Sequence, residues 1–216
     1  MIPRPVRSRR SFMSVVTSLS GLVLWPRESV ASAQAPAPQN WDLSWIDDLK
    51  SARHKQVFDM ADADPASQPA PLRLPRNYLD GYRDVFMLQS PEVRTIVGIT
   101  NRAFGLNASD RLWAKYSLGT RANIVDPATK QPATRNIFMD DPTLGVKALQ
   151  QRGTIFWQCA IALNSIAQQI AAAQQLPVDA VRADLIAGLN PGVRLVPSHV
   201  MALGMVQERG TTYVKV

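Results

Sequence analysis

The residue most able to do chemistry is Cys159, the only cysteine among 216 residues. A run of β-branched and aromatic residues at 154–157 precedes it, and an alanine-rich amphipathic stretch follows directly. This pattern predicts a buried strand that leads into a helix, with the thiol at the junction. Unpaired backbone N–H groups and the positive end of the helix dipole stabilise a thiolate there, and the thiolate is the nucleophilic form of cysteine.

A second interpretation of Cys159 stays open. Free cysteines are among the most buried residue types and usually act as small apolar fillers, so the side chain can equally be core packing. A lone cysteine also has no intramolecular disulfide partner, although a disulfide between two chains remains an option.

His199 is the candidate proton partner of Cys159. It follows a short strand predicted at 194–196, and carboxyl ends of parallel strands meet at one edge of a sheet, so the imidazole can approach the thiol. The alternative is a solvated histidine at the start of a helix. His54, the other histidine, lies between Arg53 and Lys55 and is predicted to be a surface residue.

The sequence predicts neither a metal site nor an organic cofactor. It contains no glycine-rich nucleotide loop, no C-x-x-C pair and no cluster of metal ligands. With two histidines in the chain, a zinc site with histidine ligands is not expected.

Residues 1–33 have the pattern of a signal peptide for export. Arg9 and Arg10 lie in a segment that resembles the twin-arginine (Tat) consensus of bacteria, and an apolar run at 12–25 and small residues at 31–35 follow. The apolar run is interrupted by serine, threonine and glycine and is shorter than the roughly 20 residues of a membrane-spanning helix. We therefore expect cleavage, a periplasmic protein and no stable membrane span.

The net charge of the whole chain comes largely from this leader. Its removal takes away five arginines and one glutamate and lowers the formal charge from +7 to +3. The remaining positive charges are scattered among acids, so nucleic acid is not a predicted partner.

The rest of the chain divides into two parts. Residues 34–51 predict a proline-containing spacer and a short amphipathic helix. Its Trp41 and Trp45 either cap the core of their own domain or, since they look exposed, dock on a neighbouring subunit. Residues 52–216 predict the folded domain, with an irregular excursion at about 121–143 that contains three X-Pro pairs.

Within that domain, predicted strands alternate with predicted helices. Such alternation predicts an α/β fold with a mostly parallel central sheet of about five strands, flanked by helices on both faces. Asn77 is expected to cap the helix after the first strand. The predicted strands are 55–61, 94–100, 154–157, 194–196 and 211–216.

The second half of the chain resembles the DsrE/DsrF-like proteins. The recurring features are a cysteine at a strand end, a PGV-x-x-VP-x-x-V strand and a Q-x-x-G-x-x-Y ending, and the first half fits more loosely at 55–59, 77–82 and 112–116. The segments that carry the resemblance are ATRN at 133–136, FWQCAIAL at 156–163, PGVRLVPSHV at 191–200 and QERGTTYV at 207–214.

The resemblance implies a DsrE-like three-layer sandwich, symmetric homo-oligomers and, as in the sulfur-trafficking members, a cysteine that carries sulfur as a persulfide. Cys159 matches that cysteine. The chain departs from the best-understood carriers in its export signal, its spacer and its excursion. His199 stands where the family usually has small residues, so a role for it would be peculiar to this protein.

Two functional hypotheses follow. In the first, an exported DsrE-like protein accepts sulfur on Cys159 and passes it on, with sulfur donor and acceptor proteins as partners and His199 as proton partner. In the second, the chain is a non-catalytic oligomeric module that binds a small ligand or a partner peptide, and Cys159 only packs the core.

Overall fold

The computed structural model describes residues 41–61, 64–66 and 70–216, and all of them fall within one compact unit. The predicted signal peptide at 1–33 and the spacer at 34–40 lie outside the described residues. Export and cleavage therefore stay predictions from the sequence.

Five strands in the described residues form one sheet, and every neighbouring pair is parallel. The sheet order is β4-β3-β2-β1-β5. The prediction of an α/β fold around a parallel sheet of about five strands is confirmed. The strands are β1 His54–Met60, β2 Val93–Ile99, β3 Ile155–Cys159, β4 Arg194–Val196 and β5 Thr212–Lys215.

Helices connect the strands, and a 3₁₀ turn at Leu49–Ser51 follows the first of them. None of these helices, within the described part of the chain, combines the length and apolar character that crossing a bilayer requires. The helices are α1 Trp45–Asp48, α2 Arg73–Phe86, α3 Phe104–Asn107, α4 Asp110–Tyr116, α5 Leu118–Arg121, α6 Val146–Gln151, α7 Ala160–Gln174, α8 Val178–Ala187 and α9 His199–Gln207.

The start of α2 differs from the prediction. The helix begins at Arg73, so Asn77 lies inside it and does not cap it. Pro75 is tolerated because it lies in the first turn, where a backbone N–H has no partner in the helix.

The chain topology explains why helices cover both faces of the sheet. From β1 to β4 the chain moves in one direction across the sheet, and right-handed crossovers then put all the connecting helices on one face. The last connection returns past β1 to β5, which places α9 on the opposite face. The result is three layers, and α1 packs beside α9.

The smaller of the two cores lies between the sheet and helices α1 and α9. Trp45 is only 3% exposed there, and its ring centroid lies 6.0 Å from that of Trp157. Trp45 therefore caps the core of its own domain, and its alternative use as an exposed contact to a neighbouring subunit is wrong, because α1 covers an apolar face of the sheet that would otherwise be open. The larger core lies between the other face and the helices α2 to α8.

A carboxylate on α8 ties that helix to α4. Asp184 accepts hydrogen bonds from Arg111 Nη1 at 2.6 Å, Tyr116 Oη at 2.7 Å and Lys115 Nζ at 2.9 Å. Burial raises the pKa of Asp184, but the hydrogen bonds from Lys115, Tyr116 and Arg111 outweigh burial and lower that pKa to about 2.

We expect Asp184→Asn to remove an acid-sensitive part of the stability. Because the pKa of Asp184 is lower in the folded state, its contribution is present above the ordinary value of 3.8 and is lost as the pH falls towards 2. Arg111 is half exposed, and solvent screening there reduces the contribution of Asp184 to stability to about 1 kcal/mol. Urea unfolding at pH 7 and pH 3 measures the effect. Asp179→Asn, an exposed acid of the same helix, should leave both values unchanged.

Candidate functional site

The candidate site lies at the carboxyl edge of the sheet, on the face covered by α9. Asp59, Gly98 and Trp157 are neighbours in one row across β1, β2 and β3. Side chains alternate along a strand, so Cys159, two residues after Trp157, lies on the same face and one step nearer the edge. Cys159 pairs with Val196, the last residue of β4.

His199 is the first residue of α9. Its side chain forms hydrogen bonds with Asp59 and Trp157, the two ends of this row. Its Nδ1 accepts a hydrogen bond from Trp157 Nε1 at 3.1 Å, and its Nε2 lies 2.7 Å from Asp59 Oδ1. An indole N–H can only donate, so Nδ1 must be the acceptor and the proton of the imidazole is on Nε2. That proton is donated to the carboxylate. Both side chains are buried, with His199 5% exposed and Asp59 7% exposed.

Asp59 has two further donors. Tyr213 Oη donates to Oδ2 at 2.7 Å, and the backbone N–H of Ala61 donates to Oδ1 at 2.9 Å. Burial raises the pKa of Asp59, but the hydrogen bonds from Tyr213, Ala61 and His199 outweigh it and hold the pKa below its ordinary value. The carboxylate is therefore ionised although it is buried, and a continuous chain of hydrogen bonds joins Tyr213 to Trp157.

Gly98 makes room for this network. A Cβ atom on it would lie 2.6 Å from the Trp157 ring and 2.8 Å from Cε1 of His199. The two rings thus lie directly on the backbone of β2, which only glycine permits.

Cys159 ends β3 and is the N-cap residue of the 15-residue helix α7. Its side chain makes no capping hydrogen bond and is only 4% exposed, although Ile161 in the next turn is 61% exposed. The first N–H groups of α7 have no acceptor within the helix, and Cys159 is the residue that precedes them.

The structure brings the two predicted site residues, Cys159 and His199, to the same edge and the same face of the sheet. Both ring nitrogens of His199 are engaged by Trp157 and Asp59, so proton exchange with Cys159 requires one of those hydrogen bonds to open. That exchange stays a prediction. His54 lies at the opposite, amino end of β1, where its ring packs on Tyr82 with centroids 4.4 Å apart.

Reasoning from the sequence missed Asp59, Gly98 and Tyr213. The sequence holds a signal for Asp59, because an acid in a buried strand needs hydrogen-bond partners. It also holds one for Gly98, because a glycine in an apolar strand marks a close approach. Among the described residues, no group of three or more histidine, cysteine, aspartate or glutamate side chains could hold a metal ion.

Comparison with known proteins gives little beyond this geometry. No family model matches the chain, and no curated protein matches it. A solved structure, the protein of unknown function MTH1491 from Methanobacterium thermoautotrophicum, is similar at 18% sequence identity and a TM-score of 0.39. The similarity covers 76% of this chain and 99% of that chain.

Proposed function

We propose that this chain is an exported, DsrE-like periplasmic protein that accepts sulfane sulfur on Cys159 and passes it to an acceptor. The observation that carries the proposal is the position of the thiol. Cys159 is at the junction of β3 and α7, at the carboxyl edge of a parallel sheet and on the face that holds the buried Asp59–His199 pair. Sites in open α/β sheets lie beyond this edge.

The sulfur transfer needs no external oxidant or reductant. The Cys159 thiolate attacks the outer sulfur of a donor persulfide, R–S–SH. A new bond forms between Sγ and that sulfur, the S–S bond of the donor breaks, and the donor leaves as the thiolate R–S⁻. Cys159 then carries –S–SH, and the same reaction with an acceptor thiolate regenerates it.

The surrounding residues have separate roles in this proposal. The N-terminus of α7 stabilises the attacking and leaving thiolate. His199 fixes the start of α9 against the sheet through Asp59 and Trp157, and it acts as a proton partner only when one of these two hydrogen bonds opens. Because Cys159 is nearly covered, sulfur must reach it through a local opening of the edge.

Partners and location belong to the same proposal and rest on the sequence. The twin-arginine pattern at residues 1–33 supports export, and the DsrE-like segments support a symmetric homo-oligomer with sulfur donor and acceptor proteins as partners. The reaction itself uses no cofactor.

A second candidate function is favoured by the burial of the thiol. With an exposed fraction of 4%, Cys159 also suits core packing, and the chain would then be a non-catalytic oligomeric module that binds a ligand or a partner.

Alkylation of the folded protein separates the two candidates. We expect iodoacetamide to modify Cys159 at a rate that low urea concentrations leave unchanged, because a local opening exposes little new surface. The double variant Cys159→Ala/Gln168→Cys supplies a reference rate, since Gln168 is exposed on the same helix.

The opposite outcome favours the binding module. If alkylation accelerates with urea in step with global unfolding, the thiol is reached only in the unfolded chain. Cys159 is then core packing, and the binding module replaces the sulfur carrier.

A further inference from the structure

A cavity of about 580 Å³ lies on the face of the sheet opposite His199. Asn101 and Arg102, just beyond the carboxyl end of β2, form part of its wall, and residues of α5 and α7 form other parts. Its size is within the range of pockets that hold small organic molecules. The cavity is separate from Cys159, which belongs to the face covered by α9.

The floor of the cavity is apolar and held in place. Phe104, Trp113 and Ile124 line it, and each is at most 3% exposed. Trp113 is fixed because its Nε1 donates to the carbonyl oxygen of Gly105 at 3.0 Å. A Cβ atom on Gly105 would lie 2.9 Å from the same indole ring, so glycine permits the ring to pack this closely.

The rim of the cavity is polar, and its described residues carry more positive than negative charge. Among them, Arg102 and Arg121 contribute two guanidinium groups and Asp64 contributes one carboxylate, whose Oδ2 lies 3.4 Å from Arg102 Nη1. Arg121 forms no ion pair within the described part of the chain. The amide side chains of Asn101, Asn123 and Gln169 add neutral hydrogen-bonding groups.

We propose that this cavity binds a small organic anion, with its apolar body against the partly exposed side chains of Ala122 and Ile166 and a carboxylate or phosphate group at Arg102 and Arg121. Guanidinium groups recognise both kinds of oxyanion through paired hydrogen bonds. Partly exposed apolar side chains contribute favourable contact area for such a body. The two parts of the cavity together select against inorganic anions and against neutral or cationic aromatic molecules.

Calorimetric titration of the full chain with matched probes tests the proposal. We expect saturable binding of benzoate or phenyl phosphate, with benzylamine, benzyl alcohol and inorganic phosphate at least tenfold weaker (about one charge-assisted hydrogen bond). The relative affinities of benzoate and phenyl phosphate then identify which oxyanion the rim prefers.

Variants of the rim locate the binding. Arg121→Gln should weaken the preferred probe by about tenfold. Arg73→Gln makes the same change at an exposed residue outside the cavity and should leave binding unaltered. Both arginines are exposed, so neither variant should impair folding. Cys159→Ala should also bind normally, which keeps this result independent of the sulfur-carrier proposal.

Several results would overturn the proposal. These are no saturable binding of either anion at millimolar concentration, equal binding of benzylamine, equal binding of inorganic phosphate, or an affinity that Arg121→Gln leaves unchanged.

Discussion

Replacing His199 by leucine is expected to lower the free energy of unfolding by about 3 kcal/mol. The substitution removes the donor to Asp59 and the acceptor for Trp157, and both partners are buried. A buried carboxylate that loses a donor must keep its charge with fewer hydrogen bonds, or take up a proton at a free-energy cost. The indole N–H of Trp157 is left without an acceptor at the same time.

Two further histidine variants show whether the hydrogen bonds cause the loss. His199→Gln can keep a donor near Asp59 and is expected to recover part of the stability. His54→Leu makes the same change at the other histidine, whose ring packs on Tyr82, and should cost less than about 1 kcal/mol.

Urea unfolding of the full chain at pH 7 gives all three values. Equal effects of His199→Leu and His54→Leu would contradict the network, because removal of any packed histidine ring would then account for the loss. Slow exchange of the Trp157 indole proton in the wild type, and fast exchange in His199→Leu, would show the loss of this hydrogen bond directly.

The fold could be predicted because its signal is local. Residues 94–100 form a near-continuous apolar run, which is typical of a strand covered on both faces, and β2 occupies Val93–Ile99 in the middle of the sheet. The junction at Cys159 could also be located, since the strand and helix patterns meet there. The irregular stretch at 121–143 was equally visible from its prolines, and beyond Arg121, the last residue of α5, it contains no helix or strand in the structure.

Which residues pair in the buried network could not be predicted, because the pairing depends on which distant residues share a row and a face. Asp59 and His199 are 140 positions apart in the chain, and only the order and register of the strands bring them within 2.7 Å. The choice between the two uses of Trp45 stayed open for a related reason. A four-residue helix gives too little periodicity to show that it packs against the second face of the sheet.

The cavity is also a product of tertiary structure. Arg102 and Arg121 are ordinary scattered charges in the sequence, and no motif there links Phe104 to Trp113. Their grouping follows from α3, α4 and α5 folding together beyond the carboxyl end of β2.

The proposed function predicts an all-or-none difference in sulfur loading between the wild type and Cys159→Ala. The chain has a single cysteine, so sulfur bound as a protein persulfide can reside only on Cys159. Cys159→Ser offers a second variant with a side chain of similar size, which keeps the comparison valid if the alanine variant is less stable.

Intact-mass spectrometry of the folded chain after exposure to polysulfide is the most direct measurement. The account predicts that the wild type gains the mass of one or more sulfur atoms, that a thiol reductant removes them, and that neither Cys159→Ala nor Cys159→Ser gains any. Circular dichroism before and after the reaction verifies that each protein stays folded. A folded wild type that gains no sulfur mass would contradict the account and leave Cys159 as part of the core.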